Sequence, residues 1–420
     1  MTPPRTSRKD HSLFAVTAPG LEPVTALELE RLGLGPARPL AGGVAFRGST
    51  RALYRANLQL RTATRVLVRV ARVRAASFAE LDAGVRAIDW DALLPPDQPI
   101  ALRVSSHASR LYHTGAIAER LAAAVGRPRA PTRDDDDARA SVLETTTSSS
   151  SSAASNSSST SAIDAETARA PALLLARIVR DRCSLSLDSS GAPLHRRGYR
   201  QALARAPVRE TIAAGLLLAS GWRTDAALVD PFCGSGTLVI EAALLRRGRP
   251  PGEGRRFAFM DQPGFNRGLW ASVRGEAARD CSLSQSADAP ILAGDRDEGA
   301  VAAAVANAAR AGVGDELSVA RRSLSGWRAA EEFTGFTLAG RPPGWIVSNP
   351  PYGRRISRGR DLRSLYARLG QLARARFSGW GVALLCPDAA LARATGLPLE
   401  SGARVTHGGL RATFWLGAVP

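Results

Sequence analysis

The strongest constraint on this chain is an alternation that runs from about Ser190 to its end. Short apolar runs (ALVD, PILAGD, GWIVS, GVALLCP) are separated by longer stretches of helical periodicity (TLVIEAALLRRG, EGAVAAAVANAARAG, DLRSLYARLGQLARARF). Apolar runs of that length, with no polar alternation, are strands covered on both faces, and the stretches between them are the covering helices. The pattern predicts an α/β fold, a doubly wound sheet of mostly parallel strands. Ligands of such sheets bind beyond the carboxyl ends of the strands, so residues directly after each strand carry the chemistry.

Three strand ends are informative. After the first comes Asp230-Pro231-Phe232-Cys233-Gly234-Ser235-Gly236-Thr237, leading into a helix. Gly234 and Gly236 allow a sharp turn and close backbone approach, and the helix start offers free N–H groups. The carboxylate of Asp230 suits a cationic group, such as the ammonium of methionine, better than a phosphate. After the second strand, Asp295 is placed to accept from the hydroxyls of a ribose, while Asp297 suits an N-cap. After the fourth comes Ser348-Asn349-Pro350-Pro351-Tyr352-Gly353. An exocyclic amine on a base is a poor nucleophile because its lone pair is delocalised into the ring. Two acceptors, the Asn349 side-chain carbonyl and the Pro350 backbone carbonyl, would pull that nitrogen toward tetrahedral geometry. Pro350 and Pro351 stiffen the loop, and Tyr352 would stack on an unpaired or flipped base. The two motifs together predict amino-methylation with S-adenosylmethionine as methyl donor.

The first part of the chain reads differently. FAVTAP and GGVAFRG are strands, LEPVTALELERLG and STRALYRANLQLRTATR are helices, and VLVRVARVRA is a β-rich run. Residues 51–74 hold seven arginines and no acidic residue. Such a stretch is either a solvated face or a phosphate-contacting surface, with Arg61, Arg65, Arg69 and Arg72 as candidates. The whole chain has a net charge of +18. Lys9 is its single lysine, a bias that a GC-rich genome would impose on any protein. The deficit of acidic residues is not explained that way, and it favours a polyanionic partner.

Between about 129 and 171, Asp134–Asp137 and the serine-rich tract Thr145–Ser161 predict a disordered insertion. LLLARIVRD resumes the fold beyond it. Cys183, Cys233, Cys281 and Cys386 lack metal-like or disulfide-like spacing, so no metal and a reducing cytoplasm are expected. No apolar run approaches a membrane span, and the start lacks the apolar core of a secretion signal.

The motifs, together with Leu194-His195-Arg196-Arg197-Gly198-Tyr199-Arg200, Ala206–Ala214 and FNRGLW at 265–270, resemble the THUMP-domain-containing RNA methyltransferases, especially the bacterial large-subunit (23S) rRNA guanine-N2 type. That resemblance covers nearly the whole chain outside the serine-rich tract. It implies a ferredoxin-like part over residues 1–50 and a THUMP RNA-binding domain over 51–190. A Rossmann-like class I methyltransferase domain over 191–420 would follow. It also implies that Arg196, Arg197 and Arg200 line the cofactor or RNA cleft, although a strand and turn packed by Tyr199 would serve equally. Where the family pattern has an acidic residue near the adenine, this chain has Val319-Ala320-Arg321-Arg322-Ser323, leaving Ser323 as a weaker substitute. The second methyltransferase unit fused to some relatives is not expected after GGLRATFWLG.

Three other functions stay open. A tRNA guanine-N2 methyltransferase would have the same plan. A DNA amino-methyltransferase would use the same motifs, though often in the opposite order. A non-catalytic RNA-binding assembly protein would be expected to have lost Asn349 or the glycine loop.

Overall fold

The computed structural model describes residues 10–131, 169–201, 208–283, 289–327, 343–352, 361–407 and 409–420. Most of the serine-rich insertion, Ala206 and Pro207 of the resembling stretch, and Gly353 lie outside them. Two seven-stranded sheets organise the molecule.

The first sheet is built from β1 (His11–Thr17), β2 (Arg38–Leu40), β3 (Gly43–Gly48), β4 (Ala63–Arg74), β5 (Ile100–His107), β6 (Ala172–Val179) and β7 (Arg182–Asp188). Its order is β2-β3-β1-β4-β7-β6-β5, antiparallel except for β5 beside β6. The helices Glu22–Arg31, Thr50–Gln59, Phe78–Arg86 and Thr114–Val125 bury their apolar stripes against one face, through Leu13, Val44, Val66, Leu102, Leu174 and Leu185. Ser77 starts one of these helices by accepting from Glu80 N–H, while Glu80 accepts from Ala76 N–H, a reciprocal cap.

One expectation about this unit is corrected. The helix read over STRALYRANLQLRTATR ends at Gln59. The backbone N–H groups of Arg61 and Thr62 are instead taken by the buried carboxylate of Glu28, at 2.6 and 3.1 Å, and β-branched Thr62 and Thr64 turn the chain into β4. A domain limit at residue 50 would cut β3 from the helix and strand that complete its unit. β4 pairs with β1 on one side and β7 on the other, so one continuous sheet spans the expected ferredoxin-like and THUMP parts.

The second sheet has the order β10-β9-β8-β11-β12-β14-β13. Its strands are β8 (Ala227–Asp230), β9 (Ile291–Asp295), β10 (Leu317–Arg321), β11 (Gly344–Ser348), β12 (Gly381–Cys386), β13 (Leu399–His407) and β14 (Leu410–Ala418). β8 to β12 are parallel, and β14 and β13 run antiparallel at one edge. The predicted helices form over Thr237–Arg246, Glu298–Ala311 and Arg363–Arg376. From β8 the chain winds out to β9 and β10, then returns to lay β11 on the other side of β8. The sheet therefore reverses between β8 and β11, where an open α/β sheet leaves a crevice at its carboxyl ends.

The units are joined by buried contacts. Tyr54 stacks on Phe259 with centroids 4.5 Å apart, and Phe257, Phe265 and Trp270 complete an aromatic cluster. Ser190 Oγ bonds Asn57, and Leu194 N–H donates to the Thr64 carbonyl, so residues 189–194 are held by the first sheet. Arg61 reaches across and donates to the carbonyls of Leu244 and Arg249, at and just beyond the end of the helix Thr237–Arg246.

Candidate functional site

The carboxyl ends of β8, β9, β10 and β11 open into a cleft of about 1050 Å³. All the cofactor candidates except Gly236 line it, as do Asn349, Pro350, Pro351 and Tyr352. Sequence positions more than a hundred residues apart are thus brought to one wall.

The glycine loop is held from three directions. Gly234 and Gly236 have φ of 52° and 84°, the left-handed region that a side chain resists. At Gly236 a Cβ would also press on Ala304 at 3.0 Å. Cys233 N–H donates to the Gly294 carbonyl, and Gly234 N–H donates to Asp295 Oδ2 at 3.1 Å. From the helix Glu298–Ala311, the fully buried Asn307 donates its amide to the Ser235 carbonyl at 3.0 Å. Asn307 was missed from sequence. Its signal was a single amide on the buried stripe of an alanine-rich helix, where an unmatched polar group would be costly.

Asp230 is buried, and Oδ1 accepts from Phe232 N–H at 3.1 Å and from Ser348 Oγ at 2.6 Å. Burial pushes its carboxyl up to about 7, against the pull of those two donors. Asp295 accepts from Asp297 N–H through its other oxygen, and Asp297 caps the next helix through Ala300 N–H, as expected. Ser323 lies in the cleft with its hydroxyl paired to Ser325 at 2.9 Å, and the Arg322 guanidinium stands over the Trp327 ring. The cleft thus fits S-adenosylmethionine, with a carboxylate at the end of β8 and another at the end of β9. Gly234 lines the cleft between them, and Gly236 lets the loop pack on Ala304.

Asn349 is part-buried, and its Oδ1 is buried with no hydrogen-bond partner among the described residues. Asn349 lines the cleft, so this acceptor is available to a ligand donor. Tyr352 is only 8% exposed and packs with Tyr366, Cys386 and Leu391, and burial raises its phenol to about 12. Tyr366 donates to the Pro351 carbonyl at 3.4 Å from beneath the loop.

The arginine candidates separate. Arg61 and Arg65 are buried, and Arg197 is part-buried with its side chain 3% exposed, so these three do not offer phosphate contacts. Arg61 holds the helix end described above. Arg65 pairs with Asp188, and Arg197 pairs with Glu241 at 3.5 Å. Arg200 is 18% exposed and pairs with Glu210 at 3.2 Å. The segment His195–Arg200 is a buckle between the units, with Tyr199 donating to Glu241. Arg196 and Arg72 are exposed and Arg69 is half-buried. Arg69 and Arg72 lie on the sheet face opposite the four helices, with exposed Arg38 and Arg177. Burial first, then Arg72, Arg177 and Arg38, lower the pKa of Arg69, so these cations share one field.

Among the described residues no group of three or more His, Cys, Asp or Glu gathers as a metal site, and no helix is long and apolar enough to cross a membrane.

Comparison with known proteins agrees with this geometry. Residues 197–406 match the family model described as an RMKL-like methyltransferase domain, and residues 12–67 match the RlmL ferredoxin-like domain. A Synechocystis protein, named provisionally as an RNA methyltransferase, is 32% identical over 96% of this chain and 95% of its own. The ribosomal RNA large subunit methyltransferase K/L of Syntrophotalea carbinolica is 36% identical over 94% of this chain, which spans 52% of that relative's length. The crystal structure of SMU.472, described provisionally as a methyltransferase and complexed with S-adenosylhomocysteine, superposes with a TM-score of 0.74 at 27% identity. It covers 98% of this chain and 99% of its own. The chain belongs to the RMKL-like family of S-adenosylmethionine-dependent methyltransferases.

Proposed function

We propose that the protein methylates the exocyclic N2 amine of a guanosine in 23S ribosomal RNA. The observation that carries this is the orphaned Oδ1 of Asn349, buried in the cleft that also holds Asp230 and Asp295. Two acceptors on one loop, the Asn349 side-chain carbonyl and the Pro350 backbone carbonyl, match the two N–H groups of an amine, where a hydroxyl offers one and a carbon nucleophile none. The ribosomal substrate rests on the name of the Syntrophotalea relative, and the N2 position on the family resemblance of the motifs.

S-adenosylmethionine supplies an electrophilic methyl group on a cationic sulfur. Asp230 binds its ammonium and Asp295 its ribose, while the glycine loop approaches it closely. Asn349 Oδ1 and the Pro350 carbonyl accept from the two amine hydrogens and turn the lone pair out of the base. The nitrogen then bonds to the methyl carbon as the carbon–sulfur bond breaks and its electrons return to sulfur. The cationic nitrogen gives a proton to water, so no dedicated base is needed. Tyr352, neutral at physiological pH, bounds the base pocket. Arg69, Arg72, Arg38 and Arg177 form the surface for the RNA backbone.

Mass spectrometry of ribosomal and transfer RNA nucleosides from a strain lacking the protein tests this. Loss of N2-methylguanosine from 23S rRNA is expected. Loss from transfer RNA alone would move the substrate, and unchanged RNA with a lost DNA N6-methyladenine would overturn the proposal.

A further inference from the structure

One wall of the cleft is not needed by the cofactor. It is the exposed stripe of the helix Arg363–Arg376, where Ser364, Arg368, Gln371 and Ala375 recur at helical spacing, with Arg376 beside them. The opposite stripe, Tyr366, Leu369, Gly370 and Ala373, is buried in the domain and fixes this orientation. The helix is about 21 Å long.

The cleft carries charge of both signs: Arg296 sits between Asp295 and Asp297 after β9, and Arg322 follows β10. Asp230 and Asp295 stand at the ends of β8 and β9. Arg368 and Arg376 stand on the helix wall, exposed and without an acidic partner among the described residues. Arg374, on the other side, is satisfied by the carbonyls of Thr395 and Gly396. The one carboxylate on that wall, Asp361, accepts from Arg363 N–H at the helix start. The cleft of about 1050 Å³ is lined both by the strand ends that carry Asp230, Asp295 and Asn349 and by this helix, so both face one space.

We propose that Arg368 and Arg376 bind the phosphates of the single-stranded RNA segment that carries the target base, so that this helix guides the strand past Asn349. The inference rests on the RNA methyltransferase function proposed above. Its chemistry is specific. A flipped base drags its own phosphates toward the cleft mouth, and two unpaired guanidinium groups there neutralise them.

The test is methyl transfer to unmodified 23S rRNA by wild-type protein and by an Arg368→Glu/Arg376→Glu double variant, with KM for RNA followed across salt concentrations. Loss of two single-strand phosphate contacts should lower the log–log salt slope by about 1.4. KM for RNA should rise on the order of tenfold at moderate salt, and affinity for S-adenosylhomocysteine should not change. Arg368→Lys/Arg376→Lys should restore most of the loss, because a phosphate needs only the charge. An active wild type with an unchanged slope and KM in the double variant overturns this inference alone. A wild type that methylates no RNA removes both the function and the inference.

Discussion

Ser348 Oγ donates a 2.6 Å hydrogen bond to Asp230 Oδ1, tying the last residue of β11 to the last residue of β8 across the reversal of the sheet. The glycine loop and the Asn349 loop start from these two residues. With the β8–β11 ladder behind it, this bond helps fix the two loops relative to each other.

The first prediction follows from the acidity of Asp230. Its carboxyl titrates at about 7, so it is largely protonated at pH 6 and largely ionised at pH 7.5. If Asp230 holds the cofactor's ammonium as proposed, only its ionised form pairs with it. Affinity for S-adenosylhomocysteine should therefore tighten roughly severalfold over that interval. Asp230→Asn should flatten the profile, and Ser348→Ala should move its midpoint upward, because a hydrogen bond favouring the anion is gone. Calorimetry at several pH values measures this, and a flat wild-type profile would contradict it.

A second prediction concerns the chemical step. Asn349 should bond the amine more strongly as the nitrogen becomes cationic, so its contribution belongs to the transition state. Asn349→Ala should lower kcat by about 10²–10³-fold with little change in cofactor or RNA binding. Asn349→Asp keeps an acceptor and should retain part of the rate. Single-turnover transfer on unmodified rRNA distinguishes them, and a wild-type rate in Asn349→Ala would remove the catalytic assignment.

The open face of the first sheet gives a third. Replacing Arg69, Arg72 and Arg177 by glutamine should flatten the salt dependence of RNA binding by two to three units, about 0.7–0.9 for each phosphate contact. Arg65→Gln is a useful contrast. It breaks the buried pair with Asp188 and should lower stability without altering that slope. If the triple variant keeps the wild-type slope, the face is only solvated.

The buckle between the units provides a fourth. Glu241 and Arg197 have side chains 0% and 3% exposed, so removing either strands a charge. Glu241→Ala or Arg197→Ala should cost about 3–5 kcal/mol in denaturant unfolding. A double variant that replaces both with apolar groups should recover much of that loss. Additive losses would show that the two groups are not a pair.

What the sequence made legible is what depends on local pattern. The strand ends after ALVD, PILAGD and GWIVS placed Asp230, Asp295 and Asn349 before any coordinates, because strand polarity in a wound sheet decides where side chains emerge. The arginines were less legible. Arg61, Arg65, Arg69 and Arg72 look alike along the chain, yet two are buried against Glu28, Asp188 or backbone carbonyls and two face outward. That sorting depends on the bulge in β4 between Arg69 and Ala71 and on which segments fold over the sheet, neither of which is a local property. Asn307 showed only as a lone amide on a buried helical stripe, and its partner, like that of Ser348, was unreadable because each acts on a loop about seventy or more residues away.

Arg61 has a consequence for how this molecule can be divided. Its guanidinium meets carbonyls at one end of the helix Thr237–Arg246, and the other end of that helix emerges from the glycine loop. The helix is thus a strut whose far bearing belongs to the neighbouring unit. Cutting the gene between the two sheets would leave that end without its cation. The catalytic half, though it contains every residue that touches the cofactor cleft, would not be expected to fold or bind its cofactor normally when produced by itself.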